Sequence, residues 1–399
     1  MNARPSIHRK PTGARQFLCS ALIALPAVAL LGACATTDSM PTAHDARVVE
    51  VASSDRVVNA VATTADGSRL FVSMPQVEGP GAQVAELKGG KFVPYPNLEW
   101  SLWKDGADPR ATLLHVNTVR IGPDGDLWVV DAGGFRVGGK AVPGAAKIVS
   151  IDLKTNRIRR TYQAPASVIG EYSYFNDIRF NGRKAYISDA AATHPGIVVL
   201  DLDSGAMHRV LDNHPSTIAA HAMIADGGRV IRLKDPIPDS DGKPTYSKYV
   251  NIDQIEVSPD GKWLYFQPIG GPLARVPTAL INNPGVPADK VSAAVEKVVD
   301  TWMAAGSAID ADGNIYMSKV TNRSVMRVSS DGKVSTLVSD PRLTWIDAMW
   351  VANDGNLYMP AAQLDRTSAN LAGAPAQIEY PVKIYKMQVQ AQPSAIDHR

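Results

Sequence analysis

The sequence predicts an all-β fold, a six-bladed β-propeller closed by an N-terminal strand in the last blade. Three observations carry this reading. An Asx-Gly turn recurs six times, an aromatic residue follows each turn in the same strand column, and the last repeat lacks a strand that the start of the chain can supply.

The six turns are Asp66-Gly67, Asp124-Gly125, Asn181-Gly182, Asp260-Gly261, Asp312-Gly313 and Asp354-Gly355. Asx-Gly suits a tight hairpin because glycine takes a positive φ at little cost. The strand after each turn carries Phe71, Trp128, Tyr186, Tyr265, Tyr316 or Tyr358. The chain is only 7% aromatic, so six in six is a repeat and not chance. A second hairpin follows in most units, as in 146–162, 196–211 and 324–338. Four strands per unit and six units describe a propeller. The last unit ends with residues 382–388, and the segment 47–53 is free to complete it. Closure of this kind removes an exposed sheet edge. The domain so defined runs 47–391, with 392–399 as a tail.

A second repeat concerns polar residues. Seven positions before the turn Asp stand Asn59, Asn117, Asp253 and Asp347, and in the third unit Asn176 stands five before Asn181. The fifth unit has Ala305. Asx residues often start strands by bonding to nearby backbone. Five equivalent positions around one axis argue instead for a polar ring at one mouth of the central channel. Asp253 and Asp347 are its candidate catalytic carboxyls. Asn59, Asn117 and Asn176 are candidate ligand-binding amides, and Ala305 is expected to leave a gap through which a ligand enters. Asn117, Asn176 and Asp253 also form a candidate metal set. Their hard oxygens suit Ca²⁺ or another divalent cation better than zinc.

Asp131, Asp189 and Lys319 end the second strands of units two, three and five, and are further ligand-binding candidates. The long insertion 212–250 joins units three and four on the same side and is a candidate lid. Its His214 and His221 read as solvated or structural, and Asp239 to Gly242 reads as a turn. No nucleophile elbow, zinc-protease helix motif or phosphate loop is present.

The N-terminus reads as an export signal, residues 1–33. Arg4, Arg9, Lys10 and Arg15 precede an uncharged apolar run, Phe17 to Leu31. That run is short for a membrane span. It ends Leu31-Gly32-Ala33-Cys34, which matches a lipobox, so Cys34 is the expected lipidation site, with 34–46 as a polar tether. The expected location is periplasmic or extracellular, with the membrane reached only through that lipid. Losing 1–33 removes four of 41 basic residues and no acid, leaving 37 against 39. No basic stripe remains for nucleic acid. Cys19 leaves with the signal, so no disulfide pair is available and stability must come from core burial. The expected partner is a small molecule, and the expected state a monomer.

The segments FVPYPNLEW (92–100), VNTVRIGPDGDLWVVDAG (116–133), YFNDIRFNGRKAYISDA (174–190), IEVSPDGKWLYFQPIGGPLARVPTALI (255–281), AAGSAIDADGNIYMS and LTWIDAMWVANDGNLYMPAAQLDR (343–366) together resemble the major royal jelly protein/yellow family, in its bacterial, L-dopachrome tautomerase-related form. The resemblance covers roughly 47–390. It implies a six-bladed propeller with a small-molecule site at the channel mouth. Some members are associated with converting dopachrome-like indole quinones, others bind biogenic amines, and others have no known catalysis. The family offers no catalytic signature to carry over residue by residue, and the disulfide cysteines common in its insect members are missing here. The resulting expectation is an exported propeller that binds a small aromatic or quinonoid ligand, with isomerisation as its candidate chemistry. A metal-dependent lactonase of the regucalcin/gluconolactonase type is the alternative enzyme. Asn117, Asn176 and Asp253 could imitate three of its ligands, but its glutamate is missing at Asn59. A non-enzymatic cell-surface binding protein is the third reading.

Overall fold

A computed structural model describes residues 39–398. The signal sequence and Cys34 therefore lie outside the described residues. Six four-stranded antiparallel sheets form the blades of a propeller. Blade 1 holds Ala60–Thr63, Leu70–Ser73, Val84–Lys88 and Lys91–Pro94. Blade 2 holds Val116–Ile121, Leu127–Asp131, Lys147–Asp152 and Arg157–Gln163. Blade 3 holds Phe175–Asn181, Lys184–Asp189, Gly196–Asp201 and Met207–Val210. Blade 4 holds Ile252–Val257, Trp263–Pro268, Leu273–Pro277 and Glu296–Val299. Blade 5 holds Ser307–Ile309, Ile315–Lys319, Ser324–Val328 and Val334–Ser339. Blade 6 holds Trp350–Val351, Asn356–Pro360 and Val382–Gln388, and its outer strand is Val49–Ser54 from the start of the chain. Glu50 there stands opposite Tyr385.

The turn glycines all have positive φ, between 59° and 80°. The aromatic column packs between sheets. Phe71, Trp128, Tyr186, Tyr316 and Tyr358 are buried, and Tyr265 is half-buried. Trp128 meets Phe180 of the next blade with ring centres 5.0 Å apart. A fully buried ring of this size contributes roughly 4–6 kcal/mol of apolar burial before entropy is counted.

The channel is not open at the turn end. Arg179, fully buried, makes two hydrogen bonds of 2.8 Å to Glu256 of the next blade and an ion pair of 2.7 Å to Asp177. Ser307 donates to the same Glu256 at 2.7 Å. Beyond this layer lies the C-terminus, expected as a trailing tail. Ala311 N–H donates to the Gln392 carbonyl at 2.8 Å, Asp397 pairs with Arg120 at 2.9 Å, and His398 stacks on Trp350 at 3.7 Å. Residues 392–398 thus belong to the packed structure, where Asp397 supplies the buried carboxylate that pairs with Arg120 of the blade 2 inner strand. Among the described residues no helix is long and apolar enough to cross a membrane.

Candidate functional site

The ring positions sit where the inner strands begin. In blades 2, 3 and 4 the ladder slips there: between Val116 and Thr118, between Phe175 and Ile178, and between Ile252 and Gln254. A bulge of this kind turns a side chain out of the pleat and re-aims it. The slips free Asn117, Asn176 and Asp253 to face the axis. Serines of the second strands lock the loops in place. Ser73 Oγ donates to the Asn117 carbonyl at 2.8 Å, and Ser188 Oγ to the Asp253 carbonyl at 2.9 Å, each across a blade boundary.

Asn59, Asn117, Asn176, Asp253, Ala305 and Asp347 line one pocket of about 110 Å³. Four of them are joined in series. Asn59 donates to the Asn117 carbonyl at 3.0 Å, Asn117 Nδ2 donates to Asn176 Oδ1, and Asn176 Nδ2 donates to Asp253 Oδ1. Gln254 supplies a further N–H to Asp253 at 3.0 Å. Asp347 accepts from Trp345 Nε1 at 3.2 Å and from Ala348 N–H at 3.0 Å. Blade 5 contributes backbone more than side chain. A Cβ on Gly306 would lie 2.1 Å from the Asp347 carbonyl oxygen, so the gap expected beside Ala305 is filled by close approach of blade 6.

Burial is the main force on the two carboxyls. It raises Asp253 well above the carboxylate range, with Asp347 and Asp177 adding to the rise and the amides of Asn176 and Gln254 opposing it. Asp347 is pushed up to about 8, again first by burial, against the hydrogen bonds from Ala348 and Trp345. Asp177 was not among the expected site residues. It follows Asn176 directly, and its charge reaches both carboxyls from within the channel.

The wall above the ring is largely apolar and aromatic. Tyr174, Trp345, Met223, Leu364 and the exposed Phe135 line it, with His115 and Lys248. Tyr174 donates to Asn117 Oδ1 at 3.0 Å. Burial lowers the His115 imidazole to about 4, so it is neutral at pH 7. None of these residues belongs to the turn repeat, and sequence reasoning named none of them singly; it reached Met223 and Lys248 only through the insertion 212–250, expected as a lid. Two segments bring in the lid: the insertion, through Met223, Lys248 and Val250, and the turns Leu364–Arg366 and Ser368–Asn370 of blade 6. They are tied together where Ala372 N–H donates to the Arg232 carbonyl at 2.9 Å. His214 and His221 do not line the pocket, and Asp239 caps its own turn by accepting from Lys243 N–H at 2.8 Å.

Asp131, Asp189 and Lys319 are not brought into this pocket. Asp131 is fully buried and pairs with Lys147 at 2.7 Å while accepting Leu114 N–H at 2.8 Å. Asp189 accepts Tyr174 N–H at 2.7 Å and Ser173 Oγ at 2.7 Å, and pairs with Arg209 at 2.6 Å. Both carboxylates latch the loop that leads into the inner strand of their own blade. Lys319 is half-buried. The expected cation donors Asn117, Asn176 and Asp253 are neighbours, but they spend side-chain atoms on one another. Among the described residues no group of three or more His, Cys, Asp or Glu is placed to share a metal ion.

The fold is similar to that of several solved propellers. A calcium-binding protein, regucalcin, from Agrobacterium tumefaciens aligns with a TM-score of 0.51 at 12% identity, covering 89% of this chain and 96% of that one. A luciferin-regenerating enzyme aligns with a TM-score of 0.51 at 13% identity, over 87% and 96% of the chains. A gluconolactonase from Xanthomonas campestris aligns with a TM-score of 0.50 at 12% identity, over 85% and 89%. At such identities the likeness is one of fold alone. No curated protein matches the chain significantly. The family model described as major royal jelly protein matches residues 115–394, which takes in five of the six ring positions and both carboxyls, and the chain belongs to that family.

Proposed function

We propose that the mouth pocket binds a small aromatic or quinonoid molecule and that Asp347 and Asp253 exchange protons with it, as an isomerisation requires. The single observation that carries this reading is a carboxyl pair, desolvated and raised in proton affinity, beneath an aromatic wall. A proton shuttle works best when its pKa lies near the working pH. Asp347, at about 8, satisfies that condition. The pocket's enclosed volume of about 110 Å³ is below the roughly 150 Å³ of a cavity that holds benzene, so an aromatic ring bound here would extend into the open mouth. Export and lipid attachment at Cys34 belong to the same proposal, and would place the pocket where extracytoplasmic small molecules reach it.

A lactonase of the regucalcin type draws less support. Calcium takes about six to eight oxygens. Here the amide oxygens of Asn117 and Asn176 already accept hydrogen bonds, from Tyr174 and from Asn117, and the position of the missing acidic ligand is Asn59. The test of the proposal is titration of the purified protein with catechols, aromatic amines and indole quinones, with absorbance following any rearrangement. Binding or turnover of at least one compound is expected; a panel that neither binds nor reacts would sink the reading.

A further inference from the structure

We propose that Lys248 forms a Schiff base with the carbonyl carbon of an aldehyde or ketone held in the mouth pocket. The proposal rests on the preceding reading only for the pocket being a ligand site, and needs no isomerisation.

Lys248 follows the insertion hairpin strand Pro244–Ser247 and lines the pocket together with Tyr174, Asp253 and Asp347. Its Nζ donates to Asn370 Oδ1 at 3.0 Å. Asn370 is itself fixed, donating from Nδ2 to the Leu364 carbonyl at 2.8 Å. The amine is thus positioned by the lid. Three other cations withdrawn from solvent grip carboxylates: Lys147 holds Asp131, Arg179 holds Glu256, and Arg209 holds Asp189. Among the described residues, Lys248 has no carboxylate at ion-pairing distance. Lys248 is half-buried in the pocket wall, and a lysine partly withdrawn from water without an ion-pair partner gives up its proton more readily than a surface one.

Electrostatics supports the same conclusion. Loss of water lowers the Lys248 ammonium to about 8, and Arg136 lowers it further, while Asp253 and Asp347 act against both. At that value roughly a tenth of the amine is neutral at pH 7, against a few parts in ten thousand for an ordinary lysine. The neutral amine is the nucleophile. Its nitrogen adds to the carbonyl carbon as the C=O π pair moves to oxygen, and a proton passes from nitrogen to that oxygen to give the carbinolamine. The carbinolamine then loses its hydroxyl as water while the C=N bond forms. A protonated pocket carboxyl supplies the proton that leaves with the hydroxyl and regains one from the nitrogen. Neither oxidant nor reductant is consumed.

The experiment uses the purified protein, benzaldehyde as the probe and cyanoborohydride to trap the imine, with peptide mass mapping. One benzyl group at Lys248 is expected, formed ahead of labelling at exposed lysines such as Lys88 and Lys262. Lys248→Met, checked for an unchanged melt, should lose that early adduct. Should the variant fail to fold, wild-type protein alone decides. Labelling at Lys248 should rise with a midpoint near pH 8, well below that of surface lysines. Labelling spread over exposed lysines, with Lys248 no faster, overturns the proposal. A parallel titration with catechol, which has no carbonyl, separates the two readings. Catechol binding without trapping at Lys248 defeats only the Schiff base, and trapping without catechol binding supports it while weakening the preference for catechol-like ligands.

Discussion

Asn176 donates its side-chain amide to the Asp253 carboxyl across the boundary between blades 3 and 4. That bond opposes protonation of Asp253, yet burial and the nearby charge of Asp347 prevail. The ring therefore holds protons that the unfolded chain would release, which has a measurable consequence.

An unfolded Asp titrates near ~3.9, whereas Asp347 in the folded protein titrates at about 8. Between these values the folded state binds the proton and the unfolded state does not. The stability Asp347 contributes is full below its unfolded pKa and is lost as pH rises through about 8. Asp347→Asn carries no such slope. The melting temperature of the variant should therefore gain on wild type as pH is raised from the acid side, with the difference levelling off above the folded pKa. Parallel melting curves across this range would contradict the assignment.

Lys147 and Asp131 test the structural role given to the second-strand carboxylates. The pair is almost fully buried at 2.7 Å. Removing one partner strands a charge away from water and costs about 3–5 kcal/mol. Lys147→Met should lower stability to denaturant by that amount, while the folded fraction retains ligand affinity. If Asp131 instead served the ligand, affinity would fall without a comparable loss of stability.

Tyr316 is buried in the packing between blades 5 and 6, and its hydroxyl donates to Asp310 at 2.8 Å. Tyr316→Ala should cost roughly 3–5 kcal/mol through the cavity it leaves. Tyr316→Phe should cost only about 1 kcal/mol, the worth of the lost hydrogen bond. Equal losses from the two would show that the hydroxyl, and not ring packing, dominates.

Asp397 has the opposite pH sign to Asp347. Burial disfavours its charge, but Arg120, His398 and Arg179 overcome this and hold the carboxyl far below the usual range. Its stabilisation is present above the unfolded pKa and is lost as pH falls through the folded one. Asp397→Asn should destabilise the protein at neutral pH and leave Arg120 unpaired, with the deficit shrinking on strong acidification. An unchanged melt at neutral pH would mean that the C-terminal segment is not part of the packed core.

The blades were legible because each turn needs a glycine at positive φ and each inter-blade space needs a large side chain. Both demands recur at fixed offsets, from Gly67 to Gly355 and from Phe71 to Tyr358. The ring residues could be read from the same offsets. Their re-aiming at Asn117, Asn176 and Asp253 could not, because a bulge has no fixed residue signature. Asp131 and Asp189 were misplaced for a related reason. A carboxylate at a strand end looks alike whether it faces the channel or turns back onto the preceding loop, and only Lys147 and Arg209, distant in sequence, decide it. His115, Tyr174, Trp345 and Lys248 come from segments outside the repeat, so their convergence depends on tertiary closure. The C-terminal segment is short and carries no strand pattern, and its partners Arg120 and Trp350 lie far upstream.

The central claim is that Asp253 and Asp347 form the floor of a ligand site. Calorimetric titration of wild type, Asp253→Asn and Asp347→Asn tests it most directly, using whichever catechol, aromatic amine or indole quinone binds wild type. Each substitution removes a group that hydrogen-bonds as a carboxyl, so affinity should fall roughly tenfold to a hundredfold. Melting temperatures at neutral pH should not fall. Wild-type affinity in both variants would contradict the account and leave the ring as strand-start chemistry only.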